Sequence, residues 1–322
     1  MRLGFHTKQL TERGTEIALF DYALAARDLL GHEVSVYVPA STKRIVPFVR
    51  RRFEESFEVV LYSTPRSISC DALYVIKKGQ AGRVTDSIPE LNHAFADASR
   101  PHGHRFAVVS SWLARTAVHG LRLPGRRTVT VRKLRRPDVV PHIVSLPEIR
   151  GDFRDELGIP DEGVVFGRHG GHGTFCIDFV TAAIRAALAE RSDIWFLFVS
   201  VPRFVQDERV IHLPALETRA DTRRFVNTCD YMLHATPYGE TFGLAVAEFA
   251  FVGAPVLTFL GAPQTAHLDL LSKDLRLGYA CYEDVLWYLR NLQRRTSPVE
   301  SDVAERYSAE RVMTRFDEVF LH

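Results

Sequence analysis

The sequence predicts an α/β protein of two Rossmann-like domains, each a doubly wound parallel sheet, with the two facing a cleft. Three observations carry the prediction. At 322 residues the chain is about twice the length of an ordinary domain. It opens on a strand, an amphipathic helix and a second strand, and a parallel pair needs a crossover of that kind. The same alternation restarts near Gly163.

The elements follow in order. Leu3 to His6 is a short buried strand, Glu16 to Leu30 the first helix, and Gly31-His32 its stop; Glu33 to Val38 (EVSVYV) is a β-branched, alternating strand. Further strands are expected over Glu58 to Tyr62, Ala72 to Ile76 and Phe106 to Ser110. The polar stretch after His142 marks a domain boundary, giving domains of 1–145 and 146–322. In the second, strands are expected at Gly163 to Gly167, Ile194 to Val199, Val210 to Leu213, Tyr231 to His234 and Pro255 to Phe259. Helices fall near Ile177 to Glu190, Thr222 to Thr228 and from Phe242 onward. The tail adds helical patterns over Glu283 to Arg294 and Val303 to Phe320.

Composition excludes several classes. With 46% hydrophobic and 25% charged residues the chain can bury a sizeable core and is not disordered. Lys and Arg total 41 against 39 Asp and Glu, and a net +2 gives no field that would make nucleic acid the partner. Cys70, Cys176, Cys229 and Cys281 are scattered with no C-x-x-C pair, so they read as free thiols. No run approaches the roughly 18 apolar residues of a membrane span, and Met1 to Phe5 enters a strand at once, so a cytoplasmic location is expected. Two basic stretches, Lys43 to Arg52 and Arg122 to Arg136, read as solvated surface, with an anionic acceptor such as a lipid phosphate or phosphorylated glycan, and hence peripheral membrane contact, as the alternative.

The chemistry concentrates between Tyr238 and Phe249. Gly243 opens a helix whose free backbone N–H groups and dipole suit an anion, which places a diphosphate against Phe242, Gly243 and Leu244. Glu240 precedes the helix and Glu248 lies about two turns in, up to ~12 Å away at 1.5 Å per residue, so a ligand reaching both is long. Carboxylates accept hydrogen bonds and sugar hydroxyls donate them, so Glu240 could hold a sugar and Glu248 a ribose. The other reading of this pair is two solvated glutamates near a helix start.

The pattern of Glu240 and Glu248, with Phe242-Gly243-Leu244 between and Gly253-Ala254-Pro255-Val256 after, resembles the retaining glycosyltransferases of family 4, which have the GT-B fold. The resemblance implies a nucleotide-sugar as co-substrate, no other cofactor, and a carbohydrate or lipid-linked acceptor; no Asp-x-Asp occurs in the sequence, so no essential metal is expected. The donor then belongs to the second domain and the acceptor to the first. It implies further that Gly167 and Arg168, in Val165-Phe166-Gly167-Arg168, meet the donor diphosphate, and that Gly14 and Thr15, in Arg13-Gly14-Thr15-Glu16, form the family's glycine loop. Catalytic roles fall to Glu240, Arg168 and His93, with His102-Gly103-His104 as a second histidine candidate. Where the family usually has Lys-Gly, this chain has His169-Gly170-Gly171-His172-Gly173-Thr174, which removes a cationic phosphate ligand. That departure keeps open a non-catalytic nucleotide-sugar or glycan binder, and the shared fold keeps open a nucleotide-sugar epimerase.

Overall fold

The computed structural model describes residues 1–119 and 136–322, so all of the basic stretch from Arg122 except Arg136 lies outside the described residues. The chain forms two compact units, one of Met1–Ile143 with Tyr307–His322, the other of Val144–Arg306.

The first unit contains β1 (Arg2–His6), α1 (Gly14–Asp28), β2 (Glu33–Pro39), α2 (Pro47–Ser56), β3 (Glu58–Tyr62), β4 (Ala72–Lys77), β5 (Glu90–Ala94), β6 (Arg105–Val108), α3 (Ser111–His119) and β7 (Asp138–Val139). Its seven strands are ordered β3-β2-β1-β4-β5-β6-β7, all parallel. One face of α1, including Ala18, Leu19, Tyr22 and Ala26, is buried in the same core as Leu3 and Phe5 of β1 and Val34 and Val36 of β2.

The second unit contains α4 (Arg154–Leu157), β8 (Val164–Arg168), α5 (Asp178–Glu190), β9 (Ile194–Val199), β10 (Val210–Leu213), α6 (Arg219–Thr228), β11 (Tyr231–His234), β12 (Gly239–Glu240), α7 (Leu244–Phe251), β13 (Val256–Phe259), β14 (Gln264–Thr265), β15 (Arg276–Tyr279), α8 (Tyr282–Asn291) and α9 (Val303–Arg306). Six of its strands form a parallel sheet in the order β10-β9-β8-β11-β13-β15. Fully apolar strands such as Ile194–Val199 are covered by α5 and α8 through Val180, Ile184, Val285 and Leu289, the run of residues expected where a parallel sheet is buried on both faces.

The tail departs from expectation. The sequence reading assigned 146–322 to one domain, with one helix over Val303 to Phe320. The chain breaks that helix at Tyr307, recaps it with Ser308, whose Oγ accepts from the Arg311 N–H at 3.3 Å, and runs α10 (Ala309–Phe316) into the first unit. There Val312, Met313, Phe316 and Phe320 join the core of α1, β1 and β4. Apolar burial decides the destination: Phe316 and Phe320 are fully buried, and their rings stand 5.2 Å and 5.5 Å from that of Tyr74.

In both sheets the strand order reverses once. The chain winds outward from β1 through β2 and β3, then returns to lay β4 on the other side of β1; β8, β9, β10 and β11 repeat the manoeuvre. Ligands in open parallel sheets bind outside the carboxyl ends of the strands at such a reversal. His6 and Lys77 end β1 and β4; Arg168 and His234 end β8 and β11.

Candidate active site at the carboxyl ends of β8 and β11

Arg168 is the last residue of β8 and is 3% exposed. The turn that follows wraps its guanidinium. Gly170 stands at φ 141°, and a Cβ there would lie 2.8 Å from Arg168 Nη1. Thr174 accepts a short hydrogen bond from Nη2 and in turn donates to the Gly171 carbonyl at 2.8 Å. The segment that replaces the expected lysine is therefore the one that holds the arginine. Nε and Nη1 of Arg168 are buried with no hydrogen-bond partner among the described residues. Burial lowers the pKa of the group to about 10, against the opposing charge of Glu240. A buried guanidinium with unspent donors is costly unless an anion meets it.

Glu240 lies in β12, paired in parallel with β14 through Glu240 and Thr265. Its carboxylate is partly exposed and stands 3.4 Å from His234 Nε2 at the end of β11. A buried polar chain fixes that imidazole: His234 Nδ1 is 2.9 Å from Thr258 Oγ1, which is 3.0 Å from His267 Nε2, while the Tyr279 hydroxyl donates to the His234 carbonyl at 2.9 Å. Burial holds the His267 pKa at about 3, with His234 acting in the same direction, so that ring is neutral.

Gly243 is the N-cap of α7, in the left-handed region at φ 97°, and a Cβ there would sit 2.9 Å from the His267 Cβ. Both conformation and space require glycine. No side chain caps this terminus and no acidic residue occupies its first turn; the first helical bond runs from the Ala247 N–H to the Gly243 carbonyl. The preceding N–H groups of α7 have no intrahelical partner. Phe242 beside them is buried, and Leu244 and Ala245 are half-buried.

Glu248 does not present the free carboxylate expected for a ribose. It points inward, 2% exposed, with Oε1 bonded to Arg219 Nη1 and Oε2 3.1 Å from His169 Nε2. Burial alone would raise its pKa, but Arg219 and then His169 override that and hold it at about 2. Gly167 is likewise a packing glycine: a Cβ would fall 2.1 Å from Cys229 Sγ.

In the first unit, His93 is fully buried as the penultimate residue of β5. Its Nδ1 is 2.6 Å from the Tyr74 hydroxyl, and its ring packs among Tyr22, His142 and Phe320. Burial lowers its pKa to about 4. It has no surface to offer a substrate, so the structure places the preferred catalytic histidine in the core. The second candidate, His102, lies in the loop before β6 with Nδ1 2.7 Å from the Arg100 carbonyl. Gly14 is exposed with open space around it, and Thr15 donates to Glu16 at 3.0 Å rather than capping α1, whose N-cap is Arg13. His6, His169, Arg219 and His234 are the residues that sequence reading did not assign. The position of His6 and His234 at the carboxyl ends of buried strands was the signal that could have found them.

No family model and no curated protein sequence matches the chain. Among solved structures it is similar to Anabaena HepE in complex with UDP and glucose, with a TM-score of 0.67 at 14% identity over 99% of this chain and 98% of that one. It is similar to WaaG, a glycosyltransferase involved in lipopolysaccharide biosynthesis, with a TM-score of 0.62 at 12% identity over 99% and 96% of the two chains. It also resembles S. aureus MnaA bound to UDP, with a TM-score of 0.60 at 12% identity over 98% and 96%. The two parallel sheets and these full-length matches give the chain the α/β fold of the GT-B glycosyltransferases.

Proposed function

We propose that the chain is a glycosyltransferase that moves a sugar from a nucleotide-sugar to a hydroxyl acceptor, with retention of anomeric configuration and without a metal. The observation that carries the reading is Arg168, a buried guanidinium with two unspent donor groups at the sheet reversal of the second unit. Arginine's planar fork matches phosphate oxygens. The uncapped N-terminus of α7 supplies further N–H donors and partial positive charge. Together they meet the charge that a metal would otherwise neutralise, and metal independence rests on that. In the transfer the bond from the anomeric carbon to the diphosphate oxygen breaks and a bond to the acceptor oxygen forms. The diphosphate leaves with the electron pair and takes the acceptor's proton, as the family resemblance implies for retention. Glu240, set by His234, is placed to accept hydrogen bonds from the sugar hydroxyls. The similar HepE and MnaA structures are complexes with UDP, and HepE also binds UDP-glucose, a donor of this kind.

UDP is the first probe, read as thermal stabilisation of the full chain. A ligand specific to the native state adds about 2.7 kcal/mol at one hundred times its Kd. Wild type is expected to gain stability with UDP, and Arg168→Gln to lose that gain with its fold intact. Equal stabilisation of both proteins, or none by any nucleoside diphosphate, would remove the reading.

A further inference from the structure

At the carboxyl ends of β1 and β4 the first unit encloses a cavity of about 790 Å³. That is a volume typical of small-molecule sites. Its lining is strongly basic: Lys8, Arg13, Arg44, Lys77, Lys78 and Arg83 face it, and Glu16 is the sole carboxylate among the described residues that do. Two of the cations are partly spent. Lys77 Nζ is 3.0 Å from Glu90 and 2.6 Å from the Gly82 carbonyl, and Arg83 lies 3.6 Å from Asp86. Lys8, Arg13, Arg44 and Lys78 form no ion pair among the described residues. Glu16, buried and accepting from Thr7, Gln9, Thr11 and Thr15, is one carboxylate against six cations.

The floor of the cavity is neutral and polar. His6, 2% exposed, has Nε2 2.8 Å from the Tyr62 hydroxyl and Nδ1 with no partner among the described residues. Charge at the rim and an unsatisfied hydrogen-bonding group at the floor suit a ligand with an anionic end and a hydroxylated end. Unpaired lysines and arginines around one space favour an anion of more than single charge.

We propose that this cavity receives the acceptor and that the acceptor carries a phosphate: a phosphorylated sugar or polyol, free or as a lipid headgroup, its phosphate among Lys8, Arg44 and Lys78 and its hydroxyls toward His6 and Tyr62. The proposal rests on the glycosyltransferase reading for the word acceptor, and on the cavity alone for the phosphate.

The test measures binding of glucose 6-phosphate, inorganic phosphate and unphosphorylated glucose to the full chain by calorimetry. Co-sedimentation with phosphatidylcholine vesicles, with and without phosphatidylinositol, is run beside it. Expected is binding of a phosphate-bearing probe but not of glucose, weakened about tenfold or more in Arg44→Gln/Lys78→Gln, the effect of a lost charge-assisted contact. UDP binding should be unchanged in that variant. Arg168→Gln should do the reverse, losing UDP and keeping the phosphate probe. Binding of the soluble probes assigns a free phosphorylated acceptor, and binding only to the phosphatidylinositol vesicles assigns a lipid; either supports the proposal. It is overturned if neither phosphate source binds while UDP does, or if the double variant also loses UDP, which would make the cavity a donor site. Should the phosphate probes bind and UDP fail in wild type, the acceptor role falls. Lys8→Gln gives a second variant at an exposed position if the double one does not fold.

Discussion

Glu248 is a carboxylate that holds its charge against burial because Arg219 faces one of its oxygens and the His169 ring the other. A group whose folded pKa is depressed stabilises the protein above its unfolded pKa and loses that contribution as pH falls through the folded value. With the folded value at about 2 and an ordinary value of 4.5, the window runs between those two pH values. The contribution at neutral pH is on the order of 3 kcal/mol. Glu248→Gln is therefore expected to lower stability at pH 7 by a few kcal/mol, since it leaves the Arg219 charge uncompensated, and to cost far less near pH 2. Urea melts at the two pH values check it, and a penalty independent of pH would contradict the ion-pair account. The turns that carry Arg168, Glu240 and Gly243, and the helix that carries Glu248, could be placed from sequence because glycines and chain order mark them. The state of Glu248 could not, because Arg219 and His169 are distant in sequence and meet it only through the packing of α6, α7 and the turn after β8. His93 misled for a related reason: a histidine near a strand end looks the same in sequence whether its ring faces solvent or the Tyr74 hydroxyl.

Among the elements, the join of β11 to the rest of its sheet depends on Asp230. This carboxylate is 2% exposed and accepts from Arg154 Nη2 at 3.0 Å, the Val165 N–H at 2.8 Å, the Arg295 N–H at 3.1 Å and Arg294 Nη1. It thereby ties α4, β8 and the segment after α8 to the start of β11. Removing one partner of a buried pair leaves the other charge stranded, at a cost of about 3–5 kcal/mol. Asp230→Ala should thus destabilise the second unit by about that much, read as faster amide exchange in β8 and β11, while Asp152→Ala, beside the same arginine but near the surface, should have a small effect. Strands such as Ile194–Val199 were legible because they are continuous apolar runs. β5 was not, because Glu90, Asn92 and His93 are all buried there by specific partners, Lys77 and Tyr74 among them, so its polar letters hide a central strand. β15 (RLGY) is too short and too exposed at one end to declare itself.

For the molecule as a whole, neutral buried histidines set the acid limit. His6, His93, His142 and His267 have pKa values held at about 4, 4, 3 and 3, in each case chiefly by burial. An imidazole with a lowered folded pKa stabilises the protein fully above its unfolded value of 6.5, and that stability is lost as pH falls below it. Three of the four belong to the first unit. At pH 5 its unfolding takes up about three protons through them, a slope of roughly 4 kcal/mol per pH unit. The first unit is expected to open before the second as pH falls from 6.5 toward 4.5, detected as loss of exchange protection in β1 and β4 ahead of β8 and β11. Simultaneous loss would argue against it.

The return of α10 to the first unit also sets an order in time. Residues 307–322 complete a core whose other members lie before residue 144. A ribosome adding roughly 5–20 residues per second needs on the order of ten to thirty-five seconds to travel from one to the other. Throughout that interval Tyr22, Tyr74 and His93 lack the rings of Phe316 and Phe320 that pack on them, while the second unit emerges whole and can close on itself. The unit begun first is the one finished last, and its unfinished apolar surface is what a ribosome-associated chaperone would meet.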